Sequence, residues 1–281
     1  MKKLIITAAL TGGLHGKEAN PALPEQPEEI IEEAVRCREA GAAIVHLHAR
    51  DASGKGAGDP GVFRRMNEGI RRRCDVIVQN TTGGPGIPLE SRLLSLEARP
   101  EMASLNMGTV IFLTGTGEAK REVPFVNMRS EIEMFARAMS EAGIKPELEV
   151  YNPSMFAEVE NLVSKGLAGE PPYVNMVMNV GGMGGFAGTP ENLLEMARHL
   201  PAGAEFNVSG IGKAQMAMNV MSMVMGGHVR VGLEDNVYYR RGELARSNAQ
   251  FVERVVRLAC EVGREVATPD EARMMLGLPG L

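Results

Sequence analysis

The chain has 281 residues, of which 44% are hydrophobic and 23% charged, enough apolar material to bury a sizeable core. Its formal net charge of -5 argues against a nucleic-acid surface, which needs a basic stripe. The three cysteines, Cys37, Cys74 and Cys260, match neither a disulfide framework nor a zinc knuckle, and they fit a reducing cytoplasm.

The start, MKKLIITAAL, superficially resembles a secretory leader, but its apolar run breaks at Thr11-Gly12-Gly13 without a cleavage site. It reads as a first strand over residues 3–10. No later segment approaches the roughly 20 apolar residues of a membrane helix. Pro27 opens a helix over residues 27–40, with Glu28 and Glu29 in its first turn and Gly41 after its end. A second strand follows over 43–48 and a helix over 60–73. The Arg71-Arg72-Arg73 cluster at that helix end reads as a solvated face complementing the dipole. Residues 76–80 form a third strand and 88–96 a short helix. A fourth strand covers 102–107, and residues 108–127 read as an extended loop, a length that usually marks function or mobility.

The alternation then continues. Helix 129–142 precedes strand 147–151, helix 154–165 precedes strand 173–180, and helix 190–199 precedes strand 205–209. A methionine-rich helix over 213–225 leads to strand 228–233 and a long helix over 242–262. Thr268 caps a final helix with Pro269 at its first position. Eight strands, each followed by a helix, predict a parallel sheet closed into a (β/α)8 barrel. The expected domain is residues 1–281, a single barrel with a C-terminal helical extension. Its strands are rich in Val, Ile and Leu, as sheets covered on both faces require.

In such barrels the active site lies at the C-terminal strand ends. There the second strand presents His46 and His48, two of only five histidines in the chain. Residues i and i+2 of a strand share a face, so both imidazoles point into the barrel mouth. Paired neutral imidazoles suit a zinc-type metal. The third ligand should be a carboxylate from another strand end, Glu234 first and Glu149 second. Burying two unpartnered rings would be costly, which favours the metal over a core-histidine reading.

Other polar groups gather at the same end: Thr81, Ser104, Asn106, and the glycine-rich turns over 179–188 and after strand seven. Ser209, Gly210 and Gly212, ahead of a helix, offer a phosphate a place to bind, or simply form a tight turn. The methionine run at 216, 218, 221, 223 and 225 reads as packing. Arg230 sits inside the eighth strand and needs a counter-ion, for which Asp235 is available. A paired Arg230–Asp235 could bind a carboxylate and place a base, or be a structural ion pair.

The stretches ITAALTG, AGAAIVHLHARD, QNTTGG, PEMASLNMGT and GGHVRVGLEDN together resemble the β-keto acid cleavage enzyme family, which includes the 3-keto-5-aminohexanoate cleavage enzymes of lysine fermentation. The match runs from the first strand to the last long helix. The resemblance implies a cytoplasmic (β/α)8 homotetramer that exchanges a β-keto acid with acetyl-CoA, giving acetoacetate and a new acyl-CoA. It places Zn2+ on His46, His48 and Glu234, a catalytic pair on Arg230 and Asp235, and substrate-binding positions at Thr81 and Ser104. Family members acting on the amino-substituted acid carry a glutamate in the turn after strand one. Here that position is Leu14, so the expected substrate tail is uncharged or apolar, with His15 available to a polar one. Competing readings are a barrel metallohydrolase, which needs further histidines at the site, a two-histidine, one-carboxylate iron site, and a non-catalytic metal- or CoA-binding protein.

Overall fold

A computed structural model describes residues 2–51, 53–54, 56–114 and 120–278. Eight parallel strands form the barrel: β1 (Ile6–Ala9), β2 (Ile44–Leu47), β3 (Ile77–Asn80), β4 (Met102–Asn106), β5 (Lys145–Val150), β6 (Tyr173–Met178), β7 (Glu205–Gly210) and β8 (His228–Val231). Each pairs with its neighbours in chain order. β1 pairs with both β2 and β8, which closes the sheet and leaves no edge. The expected (β/α)8 barrel is the fold observed.

The helices are α1 (Pro27–Ala40), α2 (Pro60–Arg71), α3 (Leu89–Leu94), α4 (Arg129–Glu141), α5 (Phe156–Ser164), α6 (Pro190–Ala197), α7 (Gln215–Val224), α8 (Asn248–Glu261) and α9 (Pro269–Leu276). Local chemistry starts most of the longer ones. Asp59 accepts hydrogen bonds from the Gly61 and Val62 amides ahead of α2, and Thr189 accepts from Asn192 ahead of α6. Thr268 and Glu271 form a capping box on α9. Between helices and barrel lie two apolar layers, one including Leu47, Phe63 and Phe251, the other Phe135, Phe156 and Met218. The α9 side chains Ala272 and Leu276 pack with Ile5, Ile44, Ile77 and Met102 and so plug the N-terminal end of the barrel. The opposite end is left for chemistry.

Two expectations are corrected. The stretch 108–127, expected as an extended loop, contains two strands, Val110–Thr114 and Arg121–Phe125, that pair antiparallel, and Gly182–Met183 adds a third. The turn after β4 and the glycine-rich turn after β6 therefore build one small sheet at the mouth. The long last helix begins at Asn248 rather than at 242. Tyr238–Arg240 and Glu243–Leu244 pair as a hairpin first, and Ser247 caps the helix by accepting from Gln250. In the methionine run, Met218 and Met223 are core residues while Met216 is exposed, as packing requires.

Candidate metal centre and active site

β2 delivers His46 from within the strand and His48 just past its end, so the two rings share a face with centroids 5.1 Å apart. From the other side of β1, the turn after β8 brings Glu234. Its Oε1 lies 3.6 Å from His46 Nε2 and 3.3 Å from His48 Nε2. The ligand atoms of these three side chains all lie within 4.8 Å of one another, and among the described residues this is the group of His, Cys, Asp or Glu able to hold a metal ion. Glu149, the second carboxylate considered from sequence, is turned to Arg230 instead.

Three observations fit a metal to this cluster. Glu234 Oε2 is buried without a hydrogen-bond partner, which a cation would satisfy. His46 Nδ1 donates to Gln79 Oε1 at 2.7 Å, which fixes the tautomer with Nε2 bare toward the cluster. Burial lowers the His46 imidazole to about 3, with the Arg230 charge and His48 acting the same way, so the ring stays neutral. Burial alone would raise the Glu234 carboxyl. The Arg230 guanidinium outweighs it and holds Glu234 well below the usual carboxylate range. Close packing of the loop after β1 depends on Gly12. At its φ of 62°, an added Cβ would lie 2.7 Å from Glu234 Cγ.

Arg230 is the second centre. Its Nε and Nη2 donate to the two Asp235 oxygens at 3.0 and 2.9 Å, a bidentate pair, while Nη1 donates to Glu149 at 3.3 Å and Nη2 also to Glu234. The buried charge is therefore surrounded by carboxylates, which hold the guanidinium protonated. Burial raises Asp235 above its ordinary value despite the neighbouring guanidinium, making it a stronger base. Burial likewise pushes Glu149 up to about 8, with Arg230 opposing.

The cavity above these groups encloses about 310 Å³. Its wall includes Thr81, whose hydroxyl accepts from the Gly83 amide at 2.9 Å, and Asn106, whose side-chain oxygen accepts from Tyr151 at 2.6 Å. Leu14 also lies on the wall, half exposed, beside His15. Ser104 lies off the wall, one pleat deeper, with its hydroxyl unpartnered. Ser209 also lies inside the barrel and donates to Asn175. Gly210 packs so closely on α7 that a Cβ would come 2.7 Å from Gln215 Cα, and the Gly212 amide donates to the Asp235 carbonyl. Only Gly210 packs on a helix, and none of the three residues lines the cavity. Sequence reasoning missed Gln79, although a glutamine inside the apolar strand IVQN was a visible signal. It also missed Phe112 and Phe125, which the mouth sheet adds to the wall.

A (β/α)8 barrel whose strand ends gather a His-His-Glu cluster able to hold a metal ion, beside a buried Arg–Asp pair, defines a class: a barrel with a candidate metal site at its mouth. A profile of the beta-keto acid cleavage enzyme family matches residues 3–278. The chain belongs to that family. It is 44% identical, over 99% of both chains, to a 3-keto-5-aminohexanoate cleavage enzyme of Fusobacterium nucleatum. It is 36% identical to a 3-oxoadipate:acetyl-CoA acetyltransferase of Cupriavidus necator, covering 99% of this chain and 95% of that one. Among solved structures, ObcA with oxaloacetate superposes with a TM-score of 0.79 at 20% identity, over 92% of this chain and 68% of that one, a likeness of fold. Among the described residues, no helix is long and apolar enough to cross a membrane.

Proposed function

We propose that the protein is a zinc-dependent enzyme exchanging a β-keto acid with acetyl-CoA to give acetoacetate and a new acyl-CoA. The observation that carries this is the sharing of Glu234 between the histidine pair and Arg230, which puts a metal cluster and a buried base in one cavity. Two imidazoles and a carboxylate suit zinc, and a bound zinc ion would polarise the ketone oxygen of the substrate.

The chain's own groups supply the rest. Four of the five Arg230 N–H groups are engaged by carboxylates, leaving one Nη1 hydrogen for the substrate carboxylate. Asp235 takes the proton between ketone and carboxylate; Arg230, held cationic, orients it and balances its charge. The resulting carbanion attacks the acetyl thioester and the CoA thiolate leaves. That thiolate then attacks the other keto carbon, and the carbon–carbon bond breaks to release the acyl-CoA. The acetoacetate carbanion recovers its proton from Asp235.

The substrate tail is uncharged or apolar. The acids on the described wall are Glu149, Glu234 and Asp235, and all three are paired with Arg230, so none is left for an ammonium group. The outer wall is apolar, with Leu14, Ile87, Phe112, Leu113, Phe125 and Val180. His15 Nε2 is engaged by the Leu233 carbonyl at 3.0 Å, so it shapes the wall more than it serves a polar tail. The relatives named for the amino-substituted acid set the opposite expectation, and Leu14 is the residue that separates the two.

A metallohydrolase is disfavoured because no histidine from a later strand joins the pair: His15, on the wall, is engaged by the Leu233 carbonyl, and the other two lie elsewhere. His199 stacks on Phe156, and His228 accepts from the Ile5 amide near the N-terminal end of the barrel. The test is a mixed pool of β-keto acids with acetyl-CoA and zinc-replete protein, read by mass spectrometry of the CoA thioesters. New acyl-CoA species with acetoacetate are expected. Their absence would refute the exchange, and a clear preference for the amino-substituted acid would refute the tail assignment. Metal analysis of the purified protein separates zinc from iron.

A further inference from the structure

Arg50 follows the metal-binding histidines in HLHARD, yet it does not line the cavity. It lies on a two-residue strand, Ala49–Arg50, paired with Gly56–Ala57, and is only 4% exposed. Its guanidinium reaches across to the loop after β1. Nε donates to Thr11 Oγ1 at 3.0 Å, and Nη2 donates to the Thr11 carbonyl at 2.8 Å and the His15 carbonyl at 2.6 Å. Nη1 donates to the Gly54 carbonyl at 2.8 Å and lies 3.6 Å from Glu25 Oε1. The donors of this side chain are therefore taken up by the protein, and it has little to offer a ligand.

What it holds is specific. Thr11 and His15 are the two ends of a turn whose inner residues, Gly12, Gly13 and Leu14, line the cavity. Without the guanidinium, the Thr11 and His15 carbonyls would lose the donor that fixes their spacing. A lysine cannot replace it, because a single ammonium cannot bridge both carbonyls, the threonine hydroxyl and Gly54 at once.

The geometry points to Arg50 as a positioning residue for substrate selection: it clips the 11–16 turn so that Leu14 faces the substrate tail. This rests on the reading of Leu14 as the tail-facing residue. Arg50 acts through Leu14 and not on the bond-making atoms, so loss of the clip blurs the choice between tails and spares turnover of a substrate without one.

The experiment compares wild type, Arg50→Lys, Leu14→Ala and the double variant. kcat and KM are measured for the preferred tailed acid and for acetoacetate, whose exchange with labelled acetyl-CoA needs no tail. In Arg50→Lys, preference for the tailed acid over acetoacetate falls at least tenfold, mainly through KM, while kcat on acetoacetate stays within threefold. In the double variant the two losses do not add, because both act at one contact. Amide hydrogen exchange, which needs no activity, shows residues 11–16 exchanging at least tenfold faster in Arg50→Lys while β1 and β2 stay protected. Equal loss on both substrates, additive losses, or unchanged exchange of the 11–16 turn would each overturn the proposal. If wild type performs no thioester exchange, the functional reading fails, and hydrogen exchange still decides whether Arg50 holds the turn.

Discussion

Replacing Gln79 by leucine probes the proposed metal centre without touching any of its three proposed ligands. Gln79 is fully buried on β3, and its Oε1 accepts from His46 Nδ1 at 2.7 Å. Leucine keeps the bulk and removes the acceptor. Two costs follow. The Nδ1–H of His46 is left buried without a partner, a penalty of about 1–3 kcal/mol to the folded protein. The ring is also released to the other tautomer, which puts a proton on Nε2, the nitrogen that faces Glu234. Loss of such an outer partner weakens metal binding by roughly 10–100-fold, or about 1.4–2.7 kcal/mol. The assay is zinc affinity by competition with a chelator, alongside thermal unfolding with and without zinc. The variant should bind zinc at least tenfold more weakly and show a smaller zinc-induced rise in Tm. A folded variant with zinc affinity within twofold of wild type would refute the reasoning, since His46 would then either need no orienting partner or not be a ligand.

Arg230→Met should abolish thioester exchange and destabilise the fold by about 3–5 kcal/mol, because Asp235, Glu234 and Glu149 would lose a shared buried counter-ion; denaturant unfolding and the exchange assay check both. Leu14→Glu supplies the missing counter-charge at the mouth and should raise kcat/KM for the amino-substituted acid about tenfold relative to an uncharged one; an unchanged ratio in steady-state assays would remove Leu14 from the tail subsite. The metal-free protein should lose stability as pH falls. His46 drops from 6.5 to about 3 in the folded state, so the unfolded chain binds the extra proton; the stabilisation is complete above about pH 6.5 and is lost progressively toward pH 3. At pH 4.5 the loss from this ring is about 3 kcal/mol, and denaturant midpoints for wild type and His46→Asn should converge on acidification; parallel curves would count against a buried neutral His46.

The barrel was legible in the sequence because its signals are local and repeated. Each β1–β8 strand is a short run rich in buried apolar residues, and helices are set off by local signals such as Pro27 and Gly41 around α1 and the Thr268 cap of α9. The pairing of Val110–Thr114 with Arg121–Phe125 was not legible: these strands are only partly buried, and their third strand comes from Gly182–Met183, some sixty residues on in the chain. The same holds for Ser247, which starts α8 only because the preceding residues pair as a hairpin.

By itself, the sequence determined which residues are candidates for the chemistry. His46 and His48 share a strand face by the two-residue repeat of a β-strand, and Arg230 inside an apolar strand demanded a carboxylate. Only the tertiary structure decided the partners. Closing the barrel through β1 brings Glu234 to the histidines across 186 residues of chain from His48, turns Glu149 toward Arg230 rather than the metal cluster, and sets Gln79 behind His46. It also gave Arg50 a task that its position in HLHARD could not reveal, because the carbonyls it holds belong to another loop. Strand periodicity fixes which way a side chain points; what it meets there depends on strands that approach only when the sheet closes.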